Sequence, residues 1–479
     1  IPPERRQSGR NPRPMVLFLD CNLNVERTNI YLYIIRMNHK FIPVLNQRLL
    51  NICYCTLFAI FANLCDFTLN ASILPETDSI IHTNHIFKKN IKTVLLHKEG
   101  WVLSYPVIEL NTDDHLVLSF DELSTETKDY YYTFIHCDYD WVSSSLFPSD
   151  FLDGFTENQL SDYSLSFNTT VDYIHYTLTF PNENVQFRIS GNYILKIYQD
   201  YDQENLVLTR RFAVTENHVN IIVNSKRPML EHFRENGQEI DFTVNYEGYP
   251  VRDPYGEIKV VICQNNRWDN LIKGLKPSFL RQSQLIFDYS SENVFPGGCE
   301  YRYFDIKSLR YQSEFIEHID FLASNYHVGL HPGKPKPYQV YFYHNDLNGR
   351  FYIDVQEGRN SETDADYVYV YFTLPYEFPL TKGEVYVFGG LSDWNCTETN
   401  RMKYNPESGS YELRMLLKQG FYNYEYAFVH HGLSVADNTI IEGSHYETEN
   451  DYVVYVYHRE GMSRYDKLIG VEIVNTLRK

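Results

Sequence analysis

The sequence predicts an all-β protein built of about three tandem β-sandwich (immunoglobulin-like) domains. Three observations carry that prediction. The chain holds 41 Tyr and 30 Phe among its 479 residues, and aromatic side chains suit pleated, half-buried surfaces. Short runs of alternating or continuous apolar character recur, bounded by Gly, Pro, Asn and Asp turn chemistry. The length exceeds what one compact core absorbs. With 43% hydrophobic and 22% charged residues, the composition is that of a globular protein rather than a disordered one.

Taken in order, residues 1–36 are rich in Arg and Pro and form an unassigned extension. Residues 37–71 have the layout of a secretory signal peptide: Lys40 and Arg48 lead an apolar run at 49–65, and Ala71 is a candidate cleavage point. The run is short for a membrane span, which is the competing reading. The first β-sandwich is expected over 85–217. At 173–180, Ile174, Tyr176, Leu178 and Phe180 fall on one face, with His175, Thr177 and Thr179 on the other.

A second β domain is expected over 218–362, its best strands at 258–264, 285–289, 301–306 and 339–343. A short helix is expected within 226–237. Lys334-Pro-Lys-Pro337 reads as a stiff, extended insert. Pro296-Gly297-Gly298 reads as the turn of a hairpin, because Gly supplies positive φ. The third domain is expected over 363–479, with strands at 367–372, 385–388, 411–416, 421–428 and 452–457.

Formal net charge is −19. Residues 1–70 carry +4 and the rest −23. Phosphate binding needs clustered Lys and Arg, so nucleic acid is not an expected partner. Eight Cys occur without a Cys-x-x-Cys pair, so no zinc or thioredoxin-like motif is formed. Cys137, Cys263, Cys299 and Cys396 leave disulfides open without fixing a pairing.

Candidate chemistry is sparse. His136-Cys-Asp-Tyr-Asp-Trp141 could be a metal site, but a strand sends neighbouring side chains to opposite faces. The plainer reading is a strand end with a polar rim and a buried Trp. Asp113-Asp114-His115 and Asp364-Ala-Asp366 read as turn and strand-entry residues. No nucleophile elbow, phosphate loop or dinucleotide fingerprint occurs. No catalytic, metal or cofactor residue is assigned. Trp394 and Trp141 stand as candidate ligand or partner contacts.

Two resemblances add to this reading. Glu384-Val-Tyr-Val-Phe-Gly-Gly-Leu-Ser-Asp-Trp-Asn395 resembles the opening of early-set immunoglobulin-like modules of the glycogen-binding kind, in which Trp394 would be a sugar-stacking ring. Further motifs lie at Leu103-Ser-Tyr-Pro-Val-Ile-Glu-Leu110, His136 to Trp141, Phe147-Pro-Ser-Asp-Phe-Leu-Asp-Gly-Phe155, Arg267-Trp-Asp269, Val294 to Arg310 and Tyr446-Glu-Thr-Glu-Asn-Asp-Tyr452. Together they resemble the type IX secretion system plug protein family over roughly 85–479. That resemblance implies a non-enzymatic periplasmic protein on the inner face of the outer membrane. It would bind and seal the translocon β-barrel. The alternative implied by the C-terminal module is a carbohydrate-binding protein.

Overall fold

The computed structural model describes residues 81–477. The extension, the leader and their four Cys lie outside the described residues. The described part belongs to one compact unit, and it is almost entirely β.

Two sheets make the first sandwich. One is ordered His85–Ile86, Asp202–Thr215, Gly191–Gln199, Tyr130–Cys137 and Asn158–Leu160, with Val107–Glu109 parallel to Asp202–Thr215. The other is ordered Ile91–Lys98, Leu116–Glu122, Ile174–Phe180 and Tyr163–Leu165. Alternate residues from both, including Leu118, Phe120, Tyr176, Phe134, Tyr193, Leu195 and Val207, fill the core between them.

Strand pairing in the rest of the chain does not follow sequence order. Gly237–Asn245 pairs with Asn220–Lys226, Gln284–Phe287 and Val294–Pro296. The sheet facing it takes Ile258–Gln264 from the middle of the chain and Asp451–His458 and Lys467–Asn475 from its end. Conversely, Arg302–Asp305 pairs with Gly420–His430, and Asn325–Leu330 runs parallel to Tyr367–Pro375. The stretch 302–330, expected with the second domain, hydrogen-bonds within the third, and 451–475 returns to the second. The hairpin expected around Pro296-Gly297-Gly298 is instead a crossover, because its two flanking strands belong to different sheets. Gly297 permits it: a Cβ there would stand 2.0 Å from the His445 carbonyl oxygen. The helix expected within 226–237 is a single 3-10 turn, Glu231–Phe233.

Asp451–His458 is buried along its whole length. Tyr452, Val454 and Val456 enter the second core. Val453, Tyr455 and Tyr457 join Val107 and Ala213 in a separate apolar layer. The second sandwich is therefore stacked on the first through a strand with no solvent face. A strand covered on both sides reads as an unbroken apolar run, as Tyr452-Val-Val-Tyr-Val-Tyr457 does.

Candidate functional site

The motif residues converge on the joints between the sandwiches. His136 and Cys137 end the strand Tyr130–Cys137 and point to opposite sides. His136 Nδ1 lies 2.9 Å from Ser144 Oγ and Nε2 lies 3.2 Å from the Ser190 carbonyl oxygen. Burial drives its pKa down to about 4, so it is a neutral core histidine. Asp138 accepts from Arg459 at 3.0 Å and from the Asp466 N–H at 3.2 Å, both near the C-terminal hairpin. Trp141 adopts φ +66° and is only 5% exposed. Its ring meets Trp268 edge-on at 4.9 Å, and the Arg211 guanidinium lies over it at 4.4 Å. A guanidinium over an indole face is a cation–π arrangement. Trp141 is thus enclosed between the first and second sandwiches.

Trp394 follows Gly383–Phe388 through Gly389 (φ +144°) and a 3-10 turn, Gly390–Ser392. The strand–Gly–turn–Trp order is as the sequence suggested. The ring is half-buried against Phe388, Ala427 and Ala436, and it lines a small cavity shared with Val94, Leu96, Pro106 and Arg210 of the first sandwich. Beside it, Asp393 pairs with the buried Arg210 at 2.9 Å, and Asn395 donates to the Asn84 carbonyl at 2.9 Å. A sugar platform needs an open ring face, whereas this indole faces the joint between the first and third sandwiches.

A second ionic cluster locks the same joint. Lys418, 1% exposed, donates to Asp121 Oδ2 at 2.7 Å. Asp121 also accepts from Tyr367 Oη at 2.7 Å and His175 Nδ1 at 2.6 Å. Lys418 lies over the Tyr173 ring at 4.1 Å, and burial lowers its pKa. Asp366 accepts from the Thr170 N–H at 2.8 Å. Asp364 accepts from the Arg359 N–H at 2.8 Å. The Asp364-Ala-Asp366 motif is therefore a backbone clamp.

Between the second and third sandwiches, Arg267 forms a bidentate pair with Asp269 and donates to the Ala436 carbonyl at 2.8 Å. Its guanidinium also sits 3.9 Å from Glu425. Burial pushes Glu425 up to about 7 even though Arg267 opposes it. Arg302 grips Glu442 at 2.8 and 3.1 Å. Burial alone would raise the Glu442 carboxyl, but Arg302 and Lys336 outweigh it and hold it below its ordinary value.

A cleft of about 950 Å³ opens where the first sandwich, residues 345–350 and the C-terminal hairpin meet. On its floor Tyr105 donates to Asp451 at 2.8 Å, and Arg350 reaches the same carboxylate at 3.1 Å. Burial raises Asp346 at its edge to about 6. Among the described residues its lining holds no His or Cys, and Ser104 Oγ accepts from the Lys98 N–H at 2.7 Å. Elsewhere Glu239, Asp241 and Asp288 approach one another closely enough to ligate a metal. The Lys226 ammonium already occupies their midst, 3.1 Å from Glu239 and in contact with Asp241. Cys137, Cys263, Cys299 and Cys396 are free thiols, and burial pushes Cys137 up to about 12, the behaviour of structural rather than reactive cysteines.

Fold and joints together define an all-β scaffold whose charged and aromatic motif residues are spent on holding sandwiches to one another. Comparison with known proteins names the class. The first domain of the type 9 secretion system plug protein matches residues 91–216. The crystal structure of a hypothetical protein from Parabacteroides merdae superposes with TM-score 0.80 at 35% identity, covering 82% of this chain and 99% of that one. No curated protein matches. The chain belongs to the type 9 secretion system plug protein family and is associated with type IX secretion. That family is a secretion family rather than an enzyme family. Among the described residues no helix is long and apolar enough to cross a membrane.

Proposed function

We propose that this protein is a non-enzymatic periplasmic plug, which binds the inner mouth of the outer-membrane translocon of the type IX system and seals it at rest. The family match carries the reading. The joints support it physically. A stopper must resist deformation, and here buried ion pairs tie the first sandwich to the third, and a strand covered on both faces ties it to the second. Trp141 and Trp394 serve that body as joint residues.

The test is gentle detergent extraction of outer membranes with the tagged full chain as bait, followed by mass spectrometry. A very large β-barrel in stoichiometric amount is the expected result. A partnerless periplasmic protein would overturn the reading.

A further inference from the structure

One stretch has the pattern of a strand and no sheet. Residues 339–343, Gln-Val-Tyr-Phe-Tyr, are the short apolar and aromatic run expected of a strand, yet they form no ladder. Tyr341 turns inward, its hydroxyl donating to Glu300. Tyr343 reaches Glu449 at 3.2 Å, and His344 Nε2 lies 2.9 Å from the Tyr301 carbonyl. Side-chain anchors thus fix the segment to the body. Tyr338, Val340 and Phe342 face outward and are 98%, 91% and 78% exposed. Among the described residues, none makes a hydrogen bond to the backbone of 340–346.

Unpaired backbone and a row of outward apolar side chains are the two features by which an exposed strand recruits another. The segment is also bounded. Pro335 and Pro337 lack N–H donors, and a turn closed from the Gln339 N–H to the Lys336 carbonyl (2.9 Å) precedes it. Alongside runs a groove of about 400 Å³ lined by Pro335, Pro337, Tyr338, Pro375 and Tyr376 with Glu377 at its rim.

We propose that 338–343 is a docking strand, which pairs edge to edge with an extended segment of the secretion-system partner. That partner segment offers apolar residues at alternate positions for the strand and groove, and basic residues beside them. Charge selects this occupant. Glu300 and Glu449 hold Tyr341 and Tyr343 from behind the segment, and residues from 71 onward carry −23. A second copy, an anionic lipid surface or nucleic acid would each bring like charge. The partner's identity rests on the plug reading; the strand itself does not.

The test compares the tagged full chain with Tyr338→Ser/Val340→Ser/Phe342→Ser, with Val340→Pro/Phe342→Pro, and with Met462→Ser as a control at a 97% exposed site. The readouts are the translocon barrel recovered per bait, the sedimentation state and the thermal midpoint. Wild type and control retaining the barrel, with roughly 10-fold less on both strand variants, is the expected result, since losing about 1.4 kcal/mol of contact is a decade of affinity. Midpoints stay unchanged. Equal recovery on all four proteins overturns the docking strand and leaves the plug reading standing. Absence of barrel even on wild type overturns the plug reading, and this proposal with it. A wild-type dimer that the variants abolish overturns the assigned occupant. If a multiple variant is destabilised, Tyr338→Ser alone decides, and undiminished recovery overturns the proposal.

Discussion

Lys418→Met offers the sharpest test of the joint argument. It removes a cation that is 1% exposed and leaves Asp121, 0% exposed, without its counter-charge. Tyr367 and His175 still donate to that carboxylate at 2.7 and 2.6 Å, but neither brings a fixed positive charge. Breaking one side of a buried pair costs about 3–5 kcal/mol, because a desolvated charge stays behind. Asp121→Asn keeps an acceptor for Tyr367 and removes that charge. The double variant should therefore recover much of the loss, ending about 1–2 kcal/mol below wild type, the usual cost of an imperfect buried hydrogen bond. Urea unfolding followed by Trp fluorescence reads both, since Trp394 lies at this joint. A double-mutant cycle then isolates the coupling. A single-variant loss under about 1 kcal/mol, or a double variant no better than the single, would refute the claim that this pair holds the first and third sandwiches together.

Two further outcomes follow from the same joints. Burial raises Glu425 from 4.5 to about 7, so the folded state holds its proton more tightly than the unfolded chain. Its contribution is fully present below pH 4.5 and is lost as pH rises through about 7. Glu425→Gln should match wild type near pH 4.5 and exceed it in the upper range by up to about 3 kcal/mol, measured by denaturation at each pH. Trp141→Ala should cost about 3–5 kcal/mol by leaving a cavity between Arg211 and Trp268. A thermal midpoint equal to wild type would mean that the ring is not a joint element.

Strands were legible in the sequence because alternation is local. The stretches 173–180 and 258–264 are expected as strands and appear as Ile174–Phe180 and Ile258–Gln264. Partners were not legible, because pairing is settled across the chain: Gln264 meets Tyr452 from 188 residues away. One signal was available. Tyr452-Val-Val-Tyr-Val-Tyr457 lacks the polar alternation of a half-exposed strand, which implies two buried faces. Trp394 and Trp141 stand in the sequence as candidate ligand or partner contacts, and in the structure their rings lie at joints between sandwiches. An aromatic motif looks the same in sequence whether its ring stacks on a ligand or on a neighbouring sandwich.

The insertion of the third sandwich into the second bears on mechanical behaviour. The second is split in sequence, its sheet containing Ile258–Gln264 being completed by Asp451–His458, whereas Arg302–Asp305 and Gly420–His430 pair within the continuous third. The two are therefore joined by two crossovers, 297–301 and 443–450, rather than by one linker. The first crossover is pinned where Gly297 packs on the His445 carbonyl. The second is pinned where Thr448 Oγ1 donates to the Gly298 carbonyl at 2.8 Å. The two crossovers therefore hold each other, and the pair acts as a double hinge pin rather than as two linkers. A sequence change that loosens one should loosen the other, which is why the Val294 to Arg310 and Tyr446 to Tyr452 motifs belong to a single structural element despite their separation in the chain.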